Sequence, residues 1–408
     1  MKILIVSQYF WPESFSINKI ASYLVEQGHD VDVVTGIPNY PQGTYFDGYG
    51  VNQNKEQNYK GTHIKRVYLK ARGTNGGDKR LILNYLSYVF SAGWELVKRR
   101  NVKYDVSFVY AMSPISQAFP AMLLRLINHT PMCLYVGDLW PDTLFSHGIK
   151  GGIIKNLVTQ ICSLVYRNSD KIIIVNGSFY TPVLRYSEGK RDITYIPQSV
   201  DYMYKPVESK KSLRHELKLD DKDFIVTFAG NLGYAQSVMT VIKAAQLLVN
   251  EKKVHFVFIG DGTLKKDCEA FCKENNLNNC YFIGRRNATD MPLLIADSDA
   301  MLITLKNQDN YNLTLPGRTQ AFMACGKPII CSANGETARV INEAECGLVS
   351  QAEDANALSL NILSMMQMDK ERLEDYSRNA LAYSRMHYDQ NKMLQDIERI
   401  LSECKYVK

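Results

Sequence analysis

The sequence predicts two doubly wound α/β domains, each built on a parallel sheet, that face each other across a cleft. Two series of short apolar runs alternate with segments of helical periodicity, and this alternation is typical of parallel sheets covered by helices. A polar, lysine-rich stretch separates the two series and indicates the connection, SVDYMYKPVESKKSLRHELKLDDKD. Because such sheets bind ligands beyond the carboxyl ends of their strands, we expect a site in the cleft.

The composition is that of a large globular chain. Its 408 residues allow two to three domains, and a hydrophobic content of 46% is ample for their cores. The nine cysteines include no C-x-x-C pair, which favours reduced thiols in a cytoplasmic protein. Lys2 and a strand follow Met1 where a secretory signal would have its apolar segment. No apolar run reaches about 18 residues, so we expect no membrane span.

The first series opens with the apolar run KILIVS, then a helical segment and the strand VDVVT. The loop after the first strand lacks G-x-G-x-x-G, which argues against a dinucleotide site there. Residues 36–61, rich in Gly, Tyr, Asn and Pro, predict a long loop that is either functional or a surface insertion. Asp138 follows the later strand MCLYVG. Two interpretations stay open there: a carboxylate facing the crevice, or a helix cap by Asp138 or Asp142.

A basic region, residues 60–103, carries eleven Lys or Arg against two acids. It contains a helix, RLILNYLSYVFSAGWELVKRR, whose surface is mostly apolar. The polar residues Asn84, Ser87, Ser91 and Glu95 form one narrow stripe along it. One hypothesis is that this helix rests on an anionic membrane surface, where Tyr85, Tyr88, Phe90 and Trp94 could anchor it. The other is a core helix with basic ends, because mostly apolar helices are usually buried.

Three turns between strand and helix in the second series contain glycine, which lets a phosphate approach backbone N–H groups. They are Gly230-Asn231-Leu232-Gly233 with Gln236 after it, Asp261-Gly262, and Gly284-Arg285. Asp297 and Asp299 have the spacing of a D-x-D metal motif. Their position just before a strand favours a turn or a cap instead.

Residues 312–336 have the strongest functional pattern, and they predict a loop, a helix, a strand and a second loop. Pro316 suits a first helical position, and Gly317 permits close approach to the backbone. A helix N-terminus favours an anion, since its first N–H groups lack intrahelical acceptors and the helix dipole is positive there. Arg318 adds a planar cation suited to phosphate oxygens. The pattern predicts either a phosphate site or an ordinary helix start.

Eight segments spread along the whole chain carry a family resemblance: QGHDVDVVTG, GDLWPD, YIPQSVD, FAGNLGYAQ, FIGDG, FIGR, PGRTQAFMACGKPII and ETARVINEAECGLV. Together they resemble the retaining, nucleotide-sugar-dependent glycosyltransferases of GT-B fold, family 4 type. The chain is most similar to the branch found in bacterial O-antigen and capsule gene clusters. The resemblance implies an acceptor-binding domain at 1–200 and a nucleotide-sugar-binding domain at 201–385. A final helix, about 386–408, is expected to pack back on the first domain.

The resemblance also implies site residues. Asp138 and Arg318 are the expected catalytic residues, Asp138 facing the transferred sugar or the acceptor and Arg318 facing the diphosphate. The expected donor-binding residues are Gly230, Asn231, Gly233, Gln236, Arg285, Thr314, Leu315, Pro316, Gly317, Thr319, Gln320 and Glu336.

The sequence departs from the family pattern where most members carry two glutamates. Leu313 and Ala321 stand at these positions. Asn312, Thr314 and Glu336 are therefore candidates for the sugar contacts. The usual basic pair near Asn231 and Gln236 is also neutral, which leaves Arg318, with Lys327 as a further candidate, as the charge opposite the diphosphate.

By this resemblance we expect a retaining, metal-independent hexosyltransferase without a cofactor, whose co-substrate is a nucleotide sugar. The donor is expected to be UDP-linked, with an N-acetylated amino sugar as one candidate. The expected acceptor is a lipid-diphosphate-linked sugar in O-antigen or capsule synthesis. We expect a cytoplasmic enzyme, peripheral on the anionic inner face of the membrane, with no nucleic-acid partner.

Three other functions compete with this expectation. A nucleotide-sugar 2-epimerase would need carboxylates and histidines around the donor, and the seven histidines do not cluster in the expected cleft loops. A dinucleotide-dependent oxidoreductase would need the missing glycine fingerprint. A non-catalytic subunit of a polysaccharide assembly stays open because the two glutamates are absent.

Overall fold

The computed structural model describes residues 1–74, 77–146, 152–189 and 191–406, so that 75–76 of the basic region and 407–408 of the final helix lie outside the described residues. The chain folds into two compact units. The first comprises Met1–Ile196 with Leu394–Lys408, and the second comprises Pro197–Met393. From the sequence we expected the second domain to begin at 201 and the return to the first near 386.

The first unit is built on an eight-stranded sheet. Its strands are β1 (Lys2–Val6), β2 (Asp30–Gly36), β3 (Glu56–Tyr59), β4 (Thr62–Val67), β5 (Val106–Ala111), β6 (Met132–Val136), β7 (Lys171–Ile174) and β8 (Asp192–Tyr195). Their order across the sheet is β3-β4-β2-β1-β5-β6-β7-β8. Among the strand pairs of the described residues, β3 with β4 is antiparallel and the others are parallel. All residues of β5 and β6 are buried, as expected for parallel strands covered on both faces.

Six helices surround this sheet: α1 (Ile17–Glu26), α2 (Asp78–Lys98), α3 (Phe119–Asn128), α4 (Asp142–Ser146), α5 (Gly152–Asn168) and α6 (Tyr180–Tyr186). Short 3₁₀ helices lie at Ile115–Ala118 and Gly177–Phe179. The connections through α2, α3 and α5 all advance across the sheet in the same direction. Because such crossovers are right-handed, these three helices lie on the same face of the sheet.

The second unit is built on a six-stranded, fully parallel sheet. Its strands are β9 (Phe224–Ala229), β10 (Val254–Ile259), β11 (Cys280–Gly284), β12 (Ala300–Thr304), β13 (Ile329–Ser332) and β14 (Gly347–Ser350). Their order is β11-β10-β9-β12-β13-β14. The chain leaves β9 and β12 in opposite directions across the sheet, so these two strands form a topological switch point.

The helices of the second unit are α7 (Ser212–Leu217), α8 (Val238–Leu247), α9 (Lys265–Glu274), α10 (Met291–Asp297), α11 (Asp309–Asn312), α12 (Gly317–Ala324), α13 (Gly335–Glu343), α14 (Ala355–Met366) and α15 (Lys370–His387). Short 3₁₀ helices lie at Tyr234–Gln236 and Ala288–Asp290. The last helix, α16 (Gln390–Cys404), begins in the second unit and ends in the first. All nine cysteines are free thiols. None of the helices in the described residues is long and apolar enough to cross a membrane.

Helix α2 turns its polar stripe towards the sheet and part of its apolar surface towards solvent. Asn84 and Tyr88 are fully buried, whereas the side chains of Phe90 and Trp94 are 74% and 65% exposed. The hypothesis that α2 is a core helix is therefore wrong for the side of the helix that carries Phe90 and Trp94. Tyr88 is also excluded as a membrane anchor, because it donates a hydrogen bond to the Val34 carbonyl in the core (3.0 Å).

Candidate functional site

The candidate site lies at the switch point of the second sheet, where the turn after β9 begins with Gly230. This residue has a φ of 142° and is exposed. The neighbouring turn after β10 comes so close that a Cβ on Gly260 would lie 1.9 Å from the Gly230 carbonyl oxygen. Glycine at 260 therefore allows the two turns to pack together, and its place in the site was not predicted from the sequence.

Arg318, in the first turn of α12, brings its guanidinium to this glycine turn. A Cβ on Gly230 would lie only 3.0 Å from the Arg318 Nη1. The guanidinium carbon lies 5.0 Å from the centre of the Phe228 ring, and Nη2 donates to the carbonyl of Thr304 at the end of β12 (3.3 Å). Residues from β9, β12 and α12 thus meet at one point.

The Arg318 cation has no carboxylate partner within the described residues. Its Nε is buried without a hydrogen-bond acceptor there. Burial lowers the pKa of Arg318 to about 10, so the side chain remains charged at neutral pH. Holding an unpaired, half-buried cation costs free energy in the unliganded protein, and an anion that binds beside it offsets that cost.

The start of α12 offers fewer backbone donors than the sequence implied. Pro316 has no N–H, and the N–H of Thr319 donates to the Pro316 carbonyl (2.8 Å). The amide side chain of Gln320 donates to the Gln198 carbonyl (2.9 Å). The N–H of Thr319 and the side-chain amide of Gln320 are therefore bonded within the fold. The N–H groups of Gly317 and Arg318 remain at the open end of the helix.

The loop before α12 packs against the start of α13. Gly335 has a φ of 64°, and a Cβ there would lie 2.0 Å from the Asn312 carbonyl oxygen. The hydroxyl of Thr337 donates to the Thr314 carbonyl (2.8 Å). Buried Glu336 accepts two hydrogen bonds from Arg339, at 2.8 and 3.1 Å. Its carboxylate is thus held beside the loop as half of an ion pair.

The other predicted donor-binding residues lie in the segments after β9 and β11 and in the loop before α12. The side chain of Asn231 lies between Gly233 and Gly262, 2.6 Å from the Cβ position of each. The Gln236 carbonyl accepts from the Thr304 hydroxyl, and the Gln236 Oε1 is buried without a partner in the described structure. Arg285 is exposed at the end of the edge strand β11. Leu315 packs on the apolar core.

The two acids of the D-x-D sequence have structural partners. Asp297 accepts from the backbone N–H groups of Lys211 and Leu213, both at 2.9 Å, near the start of α7. Asp299 accepts from Arg214 (2.8 Å) and from the N–H of Ile225 (2.7 Å). Both carboxylates are therefore satisfied by hydrogen bonds within the fold, as expected for acids at a turn or a cap.

In the first unit, Asp138 lies in the bend that follows β6 and is half-buried. Burial raises the pKa of the neighbouring Tyr110, and the charge of Asp138 raises that pKa further. Asp142 is the first residue of α4, and its carboxylate accepts from the Tyr186 hydroxyl (2.7 Å). The placement of Asp138 at the carboxyl end of a strand agrees with the sequence prediction.

The family resemblance implies sugar transfer, and on that expectation Asp138→Asn should lower the transfer rate roughly tenfold or more with little change in melting temperature, because the change removes charge and keeps shape. Asp142→Asn is the matched control, since it alters an acid of the same segment that is bonded within the fold. If Asp138→Asn leaves the rate unchanged and Asp138→Ala only lowers the melting temperature, Asp138 is a helix cap.

Known proteins match this chain in sequence and in fold. Residues 209–382 match the family model described as "Glycosyl transferases group 1". The chain is 25% identical over 349 residues to the "Putative colanic acid biosynthesis glycosyl transferase WcaI" of Escherichia coli K12, covering 83% of this chain and 84% of that protein. It is 24% identical to the N,N'-diacetylbacillosaminyl-diphospho-undecaprenol alpha-1,3-N-acetylgalactosaminyltransferase of Campylobacter jejuni, over 61% of this chain and 64% of the other.

The fold is similar to that of Anabaena HepE in complex with UDP, with a TM-score of 0.73 and 16% identity over 99% of this chain and 100% of the other. The two parallel α/β units and this similarity show the GT-B fold. Residues 209–382 include the glycine turn, Arg318 and Glu336. Residues 209–382 are therefore similar to glycosyltransferase group 1 domains, and the chain has a GT-B fold.

Proposed function

We propose that this chain is a retaining glycosyltransferase that moves a sugar from a UDP-linked donor to a lipid-diphosphate-linked sugar during synthesis of a bacterial surface polysaccharide such as O-antigen or capsule. The observation that carries the proposal is the unpaired Arg318 cation against the Gly230 turn. An N-acetylated amino sugar is our candidate for the transferred group. The Campylobacter relative, which is named for such a sugar and such an acceptor, supports this choice.

The chemistry assigns Arg318 its role. As the glycosidic bond breaks, the leaving nucleoside diphosphate gains negative charge on its oxygens. Arg318 and the open N–H groups of α12 stabilise that charge more in the transition state than in the ground state. They supply positive charge that a metal ion would otherwise supply, so we expect activity to persist in the presence of a chelator.

Retention is proposed to follow a front-face route in which the leaving phosphate accepts the proton of the acceptor hydroxyl. Glu336, the carboxylate among the candidate donor contacts, is bonded to Arg339 and is better placed to bind a sugar hydroxyl than to attack carbon. The same pairing weakens the epimerase hypothesis, which needs free acids and histidines around the donor.

The acceptor's lipid would bring the enzyme to a membrane, and the first unit has a surface suited to it. We define the apolar face as the exposed apolar side chains of α2, α3 and α5, namely Ile82, Leu83, Leu86, Phe90, Trp94, Leu123, Leu126, Ile127, Ile153, Ile154, Leu157, Ile161 and Leu164. A shallow groove of about 350 Å³ runs between α2 and α3 and is lined by apolar residues and Gly93. Exposed apolar patches of this extent mark interaction surfaces.

Basic residues accompany the apolar face, which matches an anionic leaflet. Lys79, Arg80, Lys98 and Arg100 are exposed near the two ends of α2. The charge of Arg99 is less able to contact lipid head groups, because Arg99 is bonded to Glu95 (3.1 Å) and lies 3.4 Å from an Asp32 oxygen. We propose that the apolar face enters the interface while the exposed cations contact lipid head groups.

The test of the function is turnover with a panel of nucleotide sugars, with and without a lipid-diphosphate-sugar acceptor, read by mass spectrometry. We expect acceptor-dependent transfer from a UDP-sugar that persists with chelator. A new nucleotide sugar formed without acceptor would identify an epimerase. Binding of UDP without turnover on any combination would favour the non-catalytic subunit.

A further inference from the structure

A second unpaired arginine, Arg72, lies in the first unit among three tyrosine rings. Its guanidinium carbon is 5.2 Å from the ring centre of Tyr9, 5.1 Å from that of Tyr40 and 5.8 Å from that of Tyr85. Its Nη2 donates to the Tyr9 hydroxyl. We call these four residues the arginine cage. Tyr40 is 40% exposed, so the cage is accessible from solvent on that side.

The charge of Arg72 is not neutralised within the described residues. No carboxylate there pairs with it, and its Nε is buried without an acceptor. Glu13, an acid from the loop after β1, directs one oxygen to the backbone N–H groups of Asn39 (2.8 Å) and Tyr40 (2.7 Å). Burial raises the pKa of Glu13 to about 7. Aromatic rings reduce the cost of holding a cation, but they supply no counter-charge.

An unpaired acceptor accompanies this unpaired donor. Gln8 is 1% exposed, and its Oε1 has no hydrogen-bond partner in the described structure. Its Nε2 donates to the Asn84 Oδ1 (2.8 Å) and to the Tyr9 hydroxyl (3.2 Å), which fixes the orientation of the amide. Buried polar groups are rarely left unsatisfied. A phosphate beside Arg72 and a hydroxyl donating to Gln8 would satisfy both.

The cage lies where a parallel sheet binds ligands. Tyr9, Tyr40 and Arg72 follow β1, β2 and β4, which are neighbours in the sheet, so all three are at its carboxyl edge. Strand order reverses between β1 and β5, so Tyr9 follows one of the two strands that form the switch point of the first sheet. Tyr85 comes from α2, the helix that also carries Phe90 and Trp94 of the apolar face.

We propose that the arginine cage binds the diphosphate of the lipid-linked acceptor, with Arg72 as its cation and Gln8 as an acceptor for a sugar hydroxyl. This deepens the proposed function and rests on it for the identity of the acceptor. Helix α2 then connects both ends of the acceptor: its exposed side contacts the lipid surface, and its inner side contributes Tyr85 and Asn84 to the site.

Equilibrium binding to the full chain tests the proposal without requiring turnover. The probes are farnesyl diphosphate, farnesol, inorganic pyrophosphate and UDP, measured by calorimetry. We expect Arg72→Gln to weaken farnesyl diphosphate binding roughly 10- to 100-fold, the usual loss for a hydrogen bond to a charged group. UDP binding should not change. Arg318→Gln should weaken UDP binding and leave farnesyl diphosphate binding unchanged. Arg185→Gln replaces an exposed arginine of the same unit that belongs to neither the arginine cage nor the apolar face, and it should change neither affinity.

A lysine variant and the two partial probes distinguish acceptor binding from a structural role of Arg72 and from capture of any anion or lipid. Arg72→Lys keeps the charge and should restore part of the affinity, whereas a purely structural arginine would lower the melting temperature in both variants without a selective loss of one ligand. Pyrophosphate bound as tightly as farnesyl diphosphate, or farnesol bound equally well, would overturn the acceptor assignment. The assignment would also be overturned if Arg72→Gln left farnesyl diphosphate binding intact, or if the folded wild type did not bind farnesyl diphosphate. If the cage binds as expected but no nucleotide sugar is turned over, the proposed function fails and the cage stands.

Discussion

Replacing Arg318 by glutamine is expected to lower the rate of sugar transfer at least about 100-fold while the protein stays folded. Removing one donor aimed at developing negative charge typically costs about 3 to 4 kcal/mol in the transition state. Here no carboxylate of the described structure neutralises the guanidinium, which lies against Gly230, Phe228 and the Thr304 carbonyl. The measurement is kcat/KM with the donor and acceptor identified by the panel.

The melting temperature of the variant, with and without UDP, shows whether Arg318→Gln acts on ligand binding or on folding. Because the free protein holds the Arg318 charge half-buried and unpaired, Arg318→Gln should keep or raise the melting temperature. UDP at about 100 times its Kd should stabilise the wild type by about 2.7 kcal/mol and the variant by much less. Arg378→Gln is a matched control, since this exposed arginine of α15 pairs with Asp375 far along the sequence from the site. Normal turnover with a normal UDP shift would remove Arg318 from the mechanism.

Replacing both Phe90 and Trp94 by aspartate is expected to abolish co-sedimentation with anionic vesicles. Each large apolar side chain transferred from water contributes roughly 1.5 to 3 kcal/mol, so losing both should weaken partitioning more than 100-fold. Because both side chains are mostly exposed, the fold should be unaffected. Leu360→Asp with Met386→Asp is the control, since these residues are 65% and 68% exposed in the second unit.

Salt dependence distinguishes the two parts of this contact. Each basic residue near an anionic surface contributes about 1 kcal/mol, and salt screens that attraction. Replacing Lys79, Arg80, Lys98 and Arg100 by serine should therefore weaken binding at low salt and leave the remainder nearly insensitive to salt. Wild-type protein that fails to sediment at low salt, or aromatic variants that sediment normally, would rule out the apolar face as a membrane contact.

The local features of the fold were predictable from the sequence. Apolar runs such as Val106–Ala111 and Met132–Val136 are buried parallel strands, because only a strand covered on both faces is apolar at every position. Asp138 follows its strand as expected. Arg318 lies in the first turn of α12, although Pro316 is the N-cap residue and Gly317, one position later than expected, is the first helical residue. Each of these inferences depends on neighbours within one element.

The orientation of α2 was decided by the tertiary structure alone. Periodicity indicates which residues share a stripe, but not which stripe faces the sheet. Asn84 is directed inward because it bonds to Gln8 and to the Lys70 carbonyl, and Ser91 because it bonds to the Tyr68 carbonyl. These partners come from other parts of the chain, so the sequence of α2 alone does not reveal them. The mostly apolar composition of α2 indicated a buried helix, yet its Phe90 is exposed.

The two candidate anion sites have the same origin. Gly230 and Arg318, like Tyr9 and Arg72, are distant in sequence and carry no local sign of their pairing. They meet because strand order places the carboxyl ends of β9 and β12, and of β1, β2 and β4, side by side. The sequence by itself determined which residues form strands, helices and turns, through propensity and burial of each segment. Which turns become neighbours was decided by the order of strands in each sheet, because only tertiary packing brings two unpaired cations to those edges.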